Sequence, residues 1–443
     1  MFRYALILVA GPLLAQDSLS LRDAVRVALH NNSSLAASSA AVDAAAARID
    51  QARGGRLPKV DYSESWIAGN NPVYVFSSLL TQHQFTVENF NIETLNRPEA
   101  LNNFQSVISV DQPIYDAGQT KTALRFANLA RDVTLEDRRR AEMQVIAGVL
   151  RAYYGTALAA ESLKTADQAV RSAEADLKRA QDVLAAGMST NADVLSIRVH
   201  LAAVQEQRIQ RTADLDVARA ALNDVLGAPL DTRHTLTTPL AALDLPDMTL
   251  DDLERQASTT RPEASQTRLA SALARVQADA ARSAYLPQVT FHGAWELDRQ
   301  RFVNRGGANW LTSIGVRWNL FNGNADKARV RESGYAINRA RADEQRVASA
   351  VRLEVRRAWA SLSAARQRIE VAKAAAGEAE ESLRITQNRY QAGMSTVTDL
   401  LRNETAVLES RTRYLSAIHD QRIAAAALQL AAGSLTADSE VLN

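Results

Sequence analysis

The chain has 443 residues, with 51 basic against 50 acidic side chains, a balance that leaves no electrostatic footprint for a nucleic acid. It contains no cysteine, which excludes disulfides, thiol nucleophiles, sulfur metal ligands and lipid attachment at a processed N-terminal cysteine. The length suits two or three ordinary domains or one extended assembly.

The first residues, MFRYALILVAGPLLAQDS, read as a secretory signal over 1–15. Arg3 supplies the basic start and Tyr4–Ala10 the apolar run. Leu13-Leu14-Ala15 forms a cleavage site before Gln16. A short buried helix is the competing reading. The run falls short of the ~20 residues that a spanning helix needs, and no later segment approaches that length. Any entry into a membrane is therefore not by a helix.

Beyond Gln16 the chain repeats itself. Leu57-Pro58-Lys59-Val60 recurs as Leu286-Pro287-Gln288-Val289, and Asp23 matches Asp252 at the same shift. Ile114-Tyr115-Asp116 pairs with Leu320-Phe321-Asn322, and Gly227 with Gly433. The matches are collinear, so the chain reads as a tandem duplication. The first repeat covers 16–230, a linker 231–247, the second repeat 248–435 and a tail 436–443. Each repeat reads as helix, two strands, very long helix, turn, helix. The loop between the strands is expected at about Asn70–Asn103 in the first repeat and at Asp298–Ala308 in the second.

The strands alternate. Val60, Tyr62, Trp66 and Ala68 oppose Lys59, Asp61, Ser63 and Ser65, with Glu64 interrupting the apolar side. Phe104, Ile108, Val110 and Ile114 oppose Gln105, Ser109 and Asp111. Val289, Phe291, Gly293, Trp295 and Leu297 oppose Gln288, Thr290, His292 and Glu296. Trp310, Ile314, Val316, Trp318 and Leu320 oppose Ser313, Arg317 and Asn319. Alternation alone fits a soluble sheet as well as a lipid-facing barrel. Four strands cannot close in lipid, where open edges are not tolerated. Either the sheet is soluble or several chains share one barrel.

No proline lies between Pro113 and Pro229, so Gln119–Ala185 reads as one uninterrupted helix. Leu163, Ala166, Val170, Ala173, Leu177, Ala180 and Leu184 step by three and four, as a coiled-coil seam does. Ile369, Ala372, Ala376, Ala379 and Leu383 repeat it. Each long helix runs into the same pentad, AGMST, at Ala186–Thr190 and Ala392–Thr396. Gly187 and Gly393 read as left-handed closures of the helix C-terminus. Thr190 with Asp193, and Thr396 with Asp399, have capping-box spacing for the returning helix. A turn alone does not account for Ala186, Met188 and Ser189, or for Ala392, Met394 and Ser395. These read as a contact surface, with common ancestry of the two halves as the alternative.

Catalytic patterns are missing from the sequence. The six histidines, His30, His83, His200, His234, His292 and His419, form no HExxH arrangement and read as surface or packing residues. There is no GxSxG elbow and no P-loop, and Gly306-Gly307 reads as a loop tip. No cofactor, metal site or enzymatic activity is expected, although a hydrolase with an unrecognised site stays as a formal alternative.

The signal segment, the duplicated plan, the LPxV strand entries and the GxxTxxD turns resemble the TolC-like outer-membrane efflux proteins, over essentially Leu19–Leu435. The resemblance implies a mainly α fold with a pair of β-hairpins per chain. Three chains would form a twelve-strand transmembrane β-barrel, continued by a long periplasmic α-helical coiled-coil barrel. It implies a homotrimeric, passive exit duct for efflux or type I secretion, set in outer-membrane lipid. The two pentads, Ala186–Thr190 and Ala392–Thr396, would be periplasmic tips that dock a periplasmic adaptor protein, itself coupled to an inner-membrane pump. Asp193, Tyr390, Asp399 and Arg402 would form the pore gate. Three Asp399 carboxylates would make an acidic ring, and Asp193 would reach Tyr390 to tie neighbouring hairpins. Family members often carry a second acidic residue one turn after the tip aspartate, where this chain has Arg402. Arg402 would weaken that ring or pair with Asp399. The alternative to the duct is a soluble periplasmic coiled-coil scaffold.

Overall fold

The computed structural model describes residues 18–244, 248–304 and 306–442, so the expected signal segment 1–15 lies outside the described residues. The chain divides into two compact units, each of which is discontinuous in sequence.

The first unit gathers the described residues within 1–41, 134–267 and 344–443. The second gathers 42–133 and 268–343. Four helices open and close each repeat with identical lengths. Helices α1 (Leu21–Asn31), α2 (Ser33–Gly54), α5 (Gln119–Ala185) and α6 (Asn191–Leu226) have 11, 22, 67 and 36 residues. Helices α7 (Leu250–Thr260), α8 (Pro262–Ser283), α9 (Ala325–Gln391) and α10 (Val397–Ala432) have the same four lengths. The duplication read from the sequence is therefore a duplication of elements, down to their caps. Ser20 caps α1 by accepting from the Asp23 N–H, as Thr249 does for α7 from Asp252. Asp116 accepts from the Thr120 N–H at 2.7 Å at the start of α5, and Asn322 from Asp326 at 3.4 Å at the start of α9.

In the first unit, α1 buries Leu21, Ala24, Val25 and Ala28 against Ile146, Val149, Leu150 and Tyr153 of α5 and Leu222 and Leu226 of α6. The second repeat builds a smaller equivalent from Leu253 and Ala257 of α7, Val351 and Val355 of α9, and Ala431 and Ala432 of α10. Segments β1 (Ser18–Leu19) and β4 (Thr235–Leu236) pair in parallel. The fully buried Tyr153 hydroxyl joins them to α5, donating to the Leu19 carbonyl at 3.0 Å and accepting from the Thr238 N–H at 2.9 Å. The expected seam holds: Ala166, Val170, Ala173 and Ala180 are buried, and Val170 and Ala173 pack on Val204 of α6.

The second unit carries an antiparallel sheet in the order β2-β3-β5-β6. Its strands are β2 (Lys59–Gly69), β3 (Leu101–Tyr115), β5 (Gln288–Arg299) and β6 (Gly307–Arg317). Three expectations need correction. The segment between β2 and β3 is not a plain loop. It holds α3 (Pro72–Thr81) and α4 (Ile92–Asn96). Asn71 and Pro72 open α3 because the Asn side chain accepts from the Val73 and Tyr74 N–H groups and Pro lacks a donor there. Trp318 and Leu320 lie beyond the end of β6, and Ile114 drops out of register at an irregularity between Pro113 and Tyr115. Gly307 is no loop tip but the first residue of β6, pressed against the Thr81 carbonyl so closely that a Cβ has no room.

Candidate functional site

The two pentads fold alike. Gly187 takes φ +79° and Gly393 φ +70°, the left-handed conformation that suits glycine. The Gly187 N–H donates to the Leu184 carbonyl at 2.9 Å and the Met188 N–H to Val183 at 3.0 Å. Gly393 to Tyr390 at 3.0 Å and Met394 to Arg389 at 2.8 Å repeat the pattern, a Schellman closure in each case. Both capping boxes form. Thr190 Oγ1 donates to Asp193 Oδ2 at 2.8 Å and accepts from the Asp193 N–H at 3.2 Å. Thr396 and Asp399 do the same at 2.7 and 3.2 Å.

The serines have a role that the sequence did not disclose. Ser189 Oγ donates to Asp193 Oδ2 at 3.0 Å and Ser395 Oγ to Asp399 Oδ2 at 3.4 Å. Each aspartate thus gathers donors from a serine, a threonine hydroxyl and a backbone N–H. Hydrogen bonding from Thr190 holds the Asp193 carboxyl below the usual carboxylate range, and Thr396 does so for Asp399, with a smaller contribution from the Arg402 charge. What remains at the apex is apolar and open. Met188 is 75 % exposed and Met394 64 %, with Ala186 and Ala392 exposed beside them.

Just behind the tips, Ala180 of α5, Val194 and Ile197 of α6 and Val397 of α10 form a small buried cluster, with Tyr390 of α9 packed against it. Tyr390 therefore joins both hairpins of the chain. Burial raises its hydroxyl pKa, and the charges of Asp193 and Asp176 raise it further. The structure brings Tyr390 and Asp193 into one electrostatic neighbourhood and places Arg402 where it acts on Asp399. One group escaped the sequence reading. His200, expected as a surface or packing residue, has Nε2 at 3.1 Å from Glu404 Oε2, and Glu404 faces the buried Asp176. The signal for Asp176 was present: it lies three residues after Ala173 and four before Ala180, on the buried stripe.

In the sheet, register aligns one apolar face across all four strands. Tyr62 pairs with Ile108, Ile108 with Trp295 and Trp295 with Trp310. Val60, Tyr62, Trp66, Trp310, Ile314 and Val316 are each more than 60 % exposed, so this face is apolar and uncovered. Glu64 is tolerated there because Arg299 Nη2 meets Oε1 at 2.7 Å while Tyr62 and Ser106 donate to Oε2. The opposite face is polar: His292 Nδ1 lies 2.8 Å from Asp111 Oδ1. At the hairpin end of that face, Gln82 donates to Asn103 at 3.0 Å, and Asn103 to the fully buried Asp298 at 2.6 Å. β2 and β6 each keep one unpaired edge. Among the described residues no helix is long and apolar enough to cross a membrane, and no group of three or more His, Cys, Asp or Glu residues could hold a metal ion.

The sequence matches the family model described as outer membrane efflux protein over residues 24–228 and 253–434. Protein CyaE of Bordetella pertussis is 29 % identical over 429 residues, 95 % of this chain and 85 % of the relative. The alkaline protease secretion protein AprF of Pseudomonas aeruginosa is 24 % identical over 347 residues, 76 % of this chain and 72 % of the relative. Among solved structures, the Campylobacter jejuni CmeC outer membrane channel superposes with a TM-score of 0.79 at 17 % identity, covering 95 % of this chain and 87 % of that one. The match spans both repeats and the fold is that of these channels, so the chain belongs to the outer membrane efflux protein family and is an outer-membrane channel protein, not a soluble scaffold.

Proposed function

We propose that three copies of this chain form the passive exit duct of an efflux or type I secretion system. The observation that carries this reading is the four-stranded sheet, which has an exposed apolar face interrupted at Glu64, a polar face and two unpaired edges. Lipid does not tolerate unpaired strand edges, and membrane barrels need about eight strands or more. Three sheets joined edge to edge satisfy both requirements with twelve strands. The polar face then lines the lumen. A chain without a nucleotide-binding loop supplies no driving force, so transport energy comes from a partnered inner-membrane pump.

In this reading each pentad is a docking tip for the helical hairpin of a periplasmic adaptor. Small residues allow close backbone approach, and Met adapts to irregular apolar surfaces. Ala186–Thr190 and Ala392–Thr396 give two near-equivalent contacts per chain and six per trimer. Asp193, Tyr390, Asp399 and Arg402 belong to the gate, with Asp399 contributing to an acidic ring about the threefold axis. The test is the mass of the purified protein in detergent, by light scattering with the detergent subtracted, followed by planar-bilayer recording. A trimer that conducts is expected. A monodisperse monomer, or a trimer that gives no channels, refutes the proposal.

A further inference from the structure

Asp176 on α5 and Glu404 on α10 are 3 % and 9 % exposed. Among the described residues, Asp176 Oδ2 and both Glu404 oxygens meet no N–H or O–H donor that satisfies hydrogen-bond geometry, although the two carboxyls face each other. Two buried acceptors in contact repel unless a proton joins them. The remaining charged neighbours do not supply a full counter-charge. On α5, Arg179 Nη1 lies 3.2 Å from Asp176 Oδ1 but keeps its own side chain half in solvent. From α6, His200 Nε2 approaches Glu404 Oε2 at 3.1 Å. From α9, Glu380 and Arg384 line a cavity of about 260 Å³ that also reaches His200, Glu404 and Arg411 of α10. Those cations are already engaged, Arg411 with Glu380 at 2.6 Å and Arg384 with Glu381 at 2.7 Å. Tyr390 of α9 feels the Asp176 charge.

We propose that Asp176 and Glu404 form a buried proton-binding site that clamps α5 to α10 behind the tips, and that loss of the proton loosens the packing beneath Tyr390, Asp193 and Asp399. Burial first, and then the Glu404 carboxyl, push Asp176 up to about 7 from 3.8. Burial opposes ionisation of Glu404 too, but the close approach of the His200 ring and the facing Asp176 carboxyl outweigh it and hold Glu404 below its usual range. The shared proton is therefore assigned to Asp176. A raised folded-state pKa gives stabilisation that is complete below the unfolded value of 3.8 and lost as pH rises through about 7. The adjoining cavity gives solvent and protons a route to the pair. The proton switch rests on the exit-duct reading only for its consequence at the tunnel mouth.

Hydrogen exchange followed by mass spectrometry on the detergent-solubilised full chain tests the pair whether or not the protein conducts. In the wild-type protein, exchange in the helical segments around Asp176 and Glu404 should rise, beyond the intrinsic base-catalysed rate, by up to about tenfold per pH unit as pH climbs from 3.8 towards about 7, and should level off above that. Asp176→Asn keeps the shape and donates a permanent N–H, so its corrected exchange should be flat with pH and match the protonated wild type. Glu404→Gln should behave the same way and serves if Asp176→Asn fails to fold. The proposal is overturned if the wild-type profile is flat, or if the pH dependence survives both substitutions. It is overturned equally if His200→Gln abolishes the dependence while Asp176→Asn retains it, because the histidine would then be the titrating group.

Discussion

At the residue scale, the tip aspartates do structural work whatever else they do. Each closes a capping box and also accepts from a serine, and an N-cap of this kind contributes about 0.5–2 kcal/mol of helix stability. A gate role must therefore be read by a measurement that stability does not move. In planar bilayers, Asp399→Asn should lower cation preference and Arg402→Ala should raise it, because the two changes alter the charge of the proposed gate in opposite directions. Tyr390→Phe should raise mean conductance by removing the hydroxyl that the proposed gate pairs with Asp193. If all three match wild type while only Asp399→Asn melts earlier, the aspartate is a helix cap and no more. Met188 and Met394 call for a different probe. Neither contributes its side chain to the turn, and both are exposed, so Met188→Asp with Met394→Asp should leave melting unchanged and reduce export by at least about tenfold through the loss of adaptor contact. Unchanged export would remove the docking assignment.

At the element scale, the four helix-ending glycines look alike in sequence and differ in what surrounds them. Gly187 and Gly393 have left-handed φ and open space, so an added methyl meets only backbone strain, about 1–2 kcal/mol. Gly227 and Gly433 combine the same φ with contact. A Cβ at Gly227 would lie 2.8 Å from the Asn31 carbonyl oxygen, and one at Gly433 2.8 Å from the Arg261 nitrogen. Gly433→Ala should therefore destabilise clearly more than Gly393→Ala, by about 1–3 kcal/mol for the added overlap. Thermal melting of the pair of variants decides it, and equal shifts would mean that the α7 terminus yields freely.

The scale of the whole molecule is where the sheet matters. Its two faces differ by a single step along the strand, so adjacent residues make matched probes. Ile314→Arg puts a charge on the exposed apolar face and should cost about 2–4 kcal/mol of insertion stability near the bilayer midplane. Ser313→Arg adds the same charge to the polar face and should leave trimer yield intact while shifting ion selectivity. Comparing heat-resistant trimer in extracted membranes checks both. Equal yields would mean that the Ile314 face does not meet lipid.

The sequence by itself determined the duplication, the long helices and both tips, because local rules suffice for them. The absence of proline, a three-and-four apolar step, a left-handed glycine and a Thr-x-x-Asp cap act within a few residues of one another. Helix α5 ends where the spacing predicts, at Ala185. The period of two likewise assigned the strand faces before any partner was known. Local rules could not assign what depends on residues distant in the chain. Helix α3 reads as loop in the sequence because its docking rests on Gln82 meeting Asn103, and on Asn103 meeting Asp298 from the other repeat. The serines of the pentads needed the folded turn to find their aspartates. Asp176, His200 and Glu404 come from three helices, and nothing in their spacing announces that they meet. Only the tertiary structure decided that, since a buried charge takes its chemistry from whichever groups packing brings against it.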